Sequence, residues 1–268
     1  MVIVSVDIDF FVNPFPKDSQ DCESDIRLPA SEYCVAPDAT VADLLRRCGL
    51  ESPPKVSGVF IANHEFAFDI IKTLSLREQR KIELIHVDAH ADIGFPEASF
   101  RHILMDLSYK NLTHRRNPER GADRLNCGSW LTYAILAEFI ESICFVPKYV
   151  VPQDLYSFYF SKELTCDNLE SEFVISKIDN SIFSTYLRHG ISFANDTKRA
   201  LLKIPFKIVR SSELAISKKP DFVIVCQSPP WTPLAADRIL DICRQYIMVD
   251  PLQRNYQGPK NYDLPLPE

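Results

Sequence analysis

The sequence predicts an α/β fold, a three-layer α/β/α domain around a mostly parallel sheet, on two observations. Short β-rich apolar runs recur along the chain: VIVSVDIDF (2–10), VSGVFIA (56–62), IELIHVD (82–88), KYVVP (148–152), EFVISKI (172–178), FKIVR (206–210) and DFVIVC (221–226). Near-continuous apolar runs of this length suit strands covered on both faces, as in parallel sheets. Between them lie segments with helical spacing, and strand, helix, strand in series describes a doubly wound domain.

The elements follow in order. Residues 13–38 are rich in Pro, Asp and Ser and read as a loop excursion. TVADLLRRCGL (40–50) reads as a helix, with Thr40 and Asp43 spaced like a capping box and Gly49 as its stop. EFAFDIIKTL (65–74) is a second helix, and residues 95–125, with HRRNPERGADR, read as a long polar loop. GSWLTYAILAEFIESI (128–143) and TPLAADRILDICRQYI (232–247) complete the helices, the latter with Thr232 placed to cap and Pro233 at the first helical position. We expect a single domain over residues 1–250, followed by a C-terminal extended tail over 251–268 whose prolines and lack of period argue against a regular element.

At 268 residues with 46% hydrophobic side chains, the chain can bury a sizeable core. A net charge of −6 without a long basic run argues against nucleic acid as a partner. The start MVIVSVDIDFF lacks the positive region and cleavage site of a signal peptide, and no apolar run approaches the roughly 18–20 residues that span a bilayer. No membrane partner and a cytoplasmic location are therefore expected, and oligomeric state is left open. Eight cysteines without a CxxC pair argue against a zinc knuckle or dithiol site, and most are expected to be small buried apolar side chains. No GxGxxG or Walker-type loop is present to cradle a phosphate.

Chemistry gathers where runs end. The first ends in Asp7 and Asp9, the second in Asn63, His64 and Glu65, and the third in His86, Asp88, His90 and Asp92. Residues two apart at a strand end point to one side, so Asp7 with Asp9, and Asp88 with His90, can converge. Crowded carboxylates repel and take up protons, each pKa unit costing about 1.4 kcal/mol, and a pair of divalent cations removes that cost. Four carboxylates and two imidazoles, from Asp7, Asp9, His64, Asp88, His90 and Asp92, suit two Mn²⁺ ions, with Zn²⁺ or Fe²⁺ as alternatives. An Asp at a strand end commonly serves only as a turn former or cap, but local capping does not require Asp, His and Asp at alternate positions.

VDAHAD (87–92) resembles the DAHxD signature of the arginase/agmatinase ureohydrolases, and SVDIDFFVNP (5–14) is similar to their SxDxDxxDP segment with one residue inserted. The resemblance is closer to the peptide arginase group, formerly an uncharacterised protein family, through DIDFF…NPF, HE, HVDAHAD and GSWL; SPPWTP (228–233) extends it loosely. Arginases place the DxD element after DAHxD, whereas Asp7 and Asp9 open this chain, which a permuted strand order in an arginase/deacetylase-like sheet accommodates.

The resemblance implies a binuclear manganese hydrolase of linear amidines. Asp88 and Asp7 would bridge the ions, His64 and Asp92 would complete one, and His90 and Asp9 the other. Asp92 would orient the attacking hydroxide and, with His102 as a weaker candidate, protonate the leaving amine; His102 could equally lie on a helix surface. Asn126 and Trp130 are similar to family positions near the substrate, although Trp130 could equally be core. Glu65 is our candidate to pair with a guanidinium, set against a helix N-terminal acid favoured by the macrodipole. His86 suits a supporting role behind the ligands.

IGFPEASFRHILMD after the motif lacks the Ser/Asn/Thr-rich loop and HG pair with which free-arginine enzymes bind the α-amino and carboxylate groups. The expected substrate is thus an arginine-containing peptide, converted to ornithine residues plus urea during maturation of a ribosomally made peptide. Alternatives are a ureohydrolase of small guanidino compounds, a haloacid-dehalogenase-like phosphatase built on VSVDIDFF, and a metal-stabilised binding scaffold.

Overall fold

The computed structural model describes residues 1–15, 26–51, 53–94, 99–149, 155, 159–177, 200–262 and 264. Its strands are β1 (Val2–Asp7), β2 (Val12–Asn13), β3 (Cys34–Val35), β4 (Val56–Ile61), β5 (Ile82–Asp88), β6 (Ile140–Pro147), β7 (Glu170–Ser176), β8 (Ala200–Ile208), β9 (Phe222–Cys226) and β10 (Ile247–Val249). Its helices are α1 (Asp38–Arg47), α2 (Phe66–Glu78), α3 (Ser99–Met105), α4 (Leu112–Arg115), α5 (Trp130–Leu136) and α6 (Arg238–Tyr246).

Eight strands form one sheet in the order β10-β4-β9-β1-β5-β6-β8-β7. Every pairing in it is parallel except β7 with β8. Central β1 shows why the sheet is sandwiched. Val2, Val4 and Val6 pack into one apolar cluster with Val41, Leu44 and Leu45 of α1 and Ile239, Leu240 and Ile242 of α6. Ile3, on the opposite face, joins Phe68, Ile71 and Leu74 of α2 and Leu131, Ala134 and Ile135 of α5. Helix layers on both faces make this the three-layer α/β/α architecture that the apolar runs predicted. Among the described residues no helix is long and apolar enough to cross a membrane.

Several boundaries differ from expectation. The helix expected over 128–143 stops at Leu136, and Ile140 opens β6, so IESICFVP is the strand; Lys148 and Tyr149 lie beyond it, and 150–152 fall outside the described residues. Glu138, at φ +62°, makes the turn between helix and strand. α1 starts at Asp38 behind Pro37, so Thr40 is not its cap, and Asp43 pairs instead with Arg47 at 2.7 Å. Thr232 does not cap a helix; its hydroxyl donates to the Gln227 and Ser228 carbonyls, and α6 begins only after a 3-10 turn over Leu234–Asp237. Residues 95–125 are not one loop, because α3, a 3-10 turn over Leu107–Tyr109 and α4 occupy much of the segment. Of the cysteines, Cys48, Cys144, Cys226 and Cys243 are buried and free, Cys34 and Cys166 are exposed and free, and Cys127 is disulfide-bonded.

Beyond β10 the chain straps the β4 edge. Asp250 N–H donates to the Gly58 carbonyl, and the Gln253 amide bonds both backbone groups of Phe60, accepting at 2.6 Å and donating at 2.7 Å. Gly58 itself has no room for a side chain: an added Cβ would stand 2.6 Å from the Val223 carbonyl oxygen and 2.8 Å from an Ile247 methyl. Gly58→Ala should therefore destabilise the protein by about 1–3 kcal/mol through overpacking, readable as a lower urea midpoint at unchanged m.

Candidate metal centre

After β1 the chain moves to β4 on one side, then crosses to β5 on the other, so the strand order reverses at β1. In open α/β sheets the crevice beyond the carboxyl ends at such a reversal collects ligands. Asp7 ends β1, Asp88 ends β5, and His64 follows β4 by three residues.

The pleat of β1 points Ser5 and Asp7 to the α2/α5 face. The Ser5 hydroxyl is hydrogen-bonded to His64 Nε2 at 2.8 Å, which turns Nδ1 into the crevice. There Nδ1 lies 3.0 Å from Asp88 Oδ2, 3.0 Å from Asp92 Oδ2 and 3.2 Å from Asp7 Oδ2. His64 Nδ1 and Asp88 Oδ2 are nevertheless buried with no hydrogen-bond partner among the described residues. Among the described residues, two sets at this point bring their donor atoms within 4.8 Å of one another and could hold a cation: Asp7, His64 and Cys226, and His64, His86 and Asp88.

A second group lies beside it. His90 Nδ1 is 2.8 Å from Asp9 Oδ2 and 3.8 Å from Asp88 Oδ1. Asp88 thus offers one oxygen to each group. Asp7 presents Oδ2 to the first, while its Oδ1 accepts from the Asp9 N–H at 3.0 Å. All six ligand candidates, Asp7, Asp9, His64, Asp88, His90 and Asp92, line one crevice; Asp9, Asp88 and His90 form a set with donor atoms within 4.8 Å of one another, whereas Asp92 meets the others through His64 Nδ1 alone.

The electrostatics of these side chains on their own follow from crowding. Burial, then the charges of Asp9, Asp92 and Asp7, push the Asp88 carboxyl well above the ordinary range. Burial and the Asp7 charge raise Asp9 to about 6. Burial opposes a charge on His90, but its hydrogen bond to Asp9 and the nearby carboxylates raise it to about 10. His64 is held well above its usual value, against burial, by Cys226 and by Asp7, Asp88 and Asp92. Protons thus occupy positions that a cation would take. His86, packed against Phe145 with ring centroids 5.3 Å apart, is pushed by burial down to about 3 and stays neutral; its Nε2 lies 3.7 Å from Asp88 Oδ2.

Trp130 is fully buried, and its indole N–H donates to Asp92 Oδ2 at 2.6 Å while its ring lies 4.9 Å from that of His64. It is both core and a support for the site. Asp92 holds a left-handed backbone, φ +53°, a conformation costly for a non-glycine residue and concentrated at functional sites. Trp130→Phe keeps an aromatic ring but removes the bond. Metal affinity should fall about 10–100-fold, read by competition with a chelating dye, as when other outer partners of metal ligands are lost.

The remaining candidates turn elsewhere. Glu65 precedes α2 and pairs with Arg120 at 3.3 Å, so a guanidinium of the chain itself sits on it. His102 lies on α3, its Nδ1 3.1 Å from Asp106 and its ring stacked on Tyr133. The Asn126 side chain organises its own loop, donating to the Ala122 carbonyl and accepting from the Gly128 N–H.

Other residues at the rim were not among the site candidates, although Ser228 and Trp231 lie in SPPWTP and Phe15 ends NPF. Ser228, at φ +46°, donates a short hydrogen bond to Asp7 Oδ2, and Cys226 Sγ lies 3.2 Å from its hydroxyl. Trp231 packs on His90 with centroids 4.6 Å apart, and Phe15 does so at 4.9 Å. The Lys148 Nζ is buried without a hydrogen-bond partner among the described residues; burial lowers it to about 8 against the pull of Asp9 and Cys34. The strand-end rule could have located Ser228 and Trp231, since DFVIVC also ends at this rim. A cavity of about 510 Å³ lies at the opposite end of the sheet, between Val2, Glu83, Ser142 and Lys207, and contains none of the six ligand candidates.

Comparison of the chain with protein-family models, with curated proteins and with solved structures finds no match in any of the three.

Proposed function

We propose that the protein is a binuclear metal hydrolase of the ureohydrolase type, converting arginine side chains within a peptide to ornithine and urea. The observation that carries this reading is the convergence of His64 Nδ1 with three carboxylate oxygens at 3.0–3.2 Å in a buried crevice, flanked by Asp9 and His90. The motif resemblance to peptide arginases supports the reaction class, and the hard donor set supports Mn²⁺.

By the motif resemblance His64, Asp7, Asp88 and Asp92 would hold one cation, and Asp9, His90 and Asp88, whose donor atoms lie within 4.8 Å of one another, would hold the other. When bound, two such ions would lower the pKa of a shared water toward neutrality. Asp92, whose Oδ2 accepts the Trp130 indole N–H, would orient a nucleophile toward a guanidino carbon. Ser5 sets the ring of His64, and Ser228 sets the carboxylate of Asp7. Cleavage of the C–N bond sends the water oxygen to urea and both water protons to the side-chain nitrogen, which leaves as an ammonium. A substrate whose backbone is already in amide form suits a chain that lacks the sequence elements for binding free amino-acid charges.

The test is direct: with Mn²⁺, an arginine-containing peptide should lose about 42 Da, the CH₂N₂ difference between arginine and ornithine, with stoichiometric urea. Absence of this loss across arginine peptides of varied sequence, with fewer than two ions bound per chain, overturns the proposal.

A further inference from the structure

Of the six ligand side chains, His90 is the most open to solvent, 23% exposed against at most 7% for the others. Solvent therefore reaches the crevice past His90. Around it stand rings from three separate strand-end segments. Phe15, following β2, lies 4.9 Å from the His90 ring; Trp231, following β9, lies 4.6 Å from it; and Tyr149, following β6, lies 5.8 Å from Phe15. Phe15 and Trp231 are half-buried and Tyr149 is 51% exposed, so the rings step outward from the crevice to the surface.

We propose that Phe15 and Trp231 are specificity-determining residues. They form an aromatic entry that admits a planar cation on an aliphatic stem, a guanidinium side chain, in preference to an ammonium of equal charge. The argument is one of complementarity. The hydrolase reading, on which this inference rests, makes the entering head a guanidinium cation. The walls are π-faces, which attract cations and stack well on a guanidinium plane. An ammonium is a compact, strongly hydrated charge and loses more in crossing such walls. The apolar stem lies against the same rings, and Tyr149 at the outer step meets the chain on which the side chain is carried.

The inference deepens the hydrolase reading but is tested by binding. Calorimetry of the full chain, with and without Mn²⁺, would compare Nα-acetyl-arginine amide with Nα-acetyl-lysine amide. The arginine probe should bind about tenfold more tightly. Trp231→Leu and Phe15→Leu should each reduce that preference to about threefold or less, arginine-probe affinity falling more than lysine-probe affinity, and Trp231→Phe should retain most of it. Equal binding of the two probes, or a full preference in both leucine variants, overturns the inference. The two proposals fail separately: urea release without the arginine preference removes the aromatic entry alone, and the preference without urea release removes the hydrolase alone.

Discussion

Asp88→Asn should leave the protein with at most one bound cation per chain and lower peptide hydrolysis by at least about a thousandfold, since a two-metal site needs both ions to activate and place its water. The position is unusually sensitive because Oδ2 faces His64 while Oδ1 faces His90 at 3.8 Å, so one amide disturbs both groups. The same substitution should stabilise the protein in EDTA. Burial and three neighbouring carboxylates raise the Asp88 pKa, so the folded state binds its proton more tightly than the unfolded chain does, and ionisation near neutral pH opposes folding. A neutral amide removes that opposition, a gain of about 1.4 kcal/mol for each pKa unit relieved. Urea unfolding in EDTA and elemental analysis after Mn²⁺ loading read the two halves. Two ions and full activity in the variant would remove Asp88 from the proposed centre.

Manganese binding should release protons and tighten as pH rises. The imidazoles must be neutral and the carboxylates ionised to act as ligands, yet without metal His90 is raised to about 10, and His64 and Asp88 are also raised. Affinity should climb by at least about tenfold from about pH 6 to about pH 8, and calorimetry in buffers of different ionisation enthalpy should reveal the proton release. Stability in EDTA should run the other way. The contribution from His90 is fully present below about 6.5, its ordinary pKa, and is lost as pH rises toward about 10. With free Mn²⁺ at about a hundred times its Kd, each occupied site adds about 2.7 kcal/mol, roughly 5–10 °C in Tm for a chain of this size. A pH-independent affinity would contradict the protonated state of the crevice in EDTA.

The parts legible in the sequence were those governed by period and strand ends. Apolar runs located β1, β4, β5 and β9 closely, because buried parallel strands leave an unbroken hydrophobic signature. The six ligand candidates emerged from the same logic, since the residues after such strands share one rim. What failed was arbitration between helix and strand in continuous apolar sequence. GSWLTYAILAEFIESICFVP contains both α5 and β6, and no proline or glycine marks the passage between them; Glu138 takes the left-handed turn instead. Side-chain partners were equally hidden. Nothing local indicates that Arg120 would occupy Glu65, or that Ser228 would reach Asp7 across 221 positions of chain.

The strap beyond β10 bears on how copies of this protein behave when concentrated. β10 shields only the first half of β4, and an uncovered backbone there would invite a foreign strand to zip on. The Gln253 amide, by accepting from and donating to Phe60, imitates a neighbouring peptide group where no strand continues, and Ala62 N–H is taken by the Gln257 carbonyl. At the far edge, Phe160 bridges Phe173 and Ser161 N–H donates to the Glu172 carbonyl, so part of β7 is likewise occupied. At one end of the sheet the groups that would template a foreign strand are thus taken in turn by β10, the Gln253 carboxamide and the Gln257 carbonyl, a cover that bears on the colloidal fate of the whole fold.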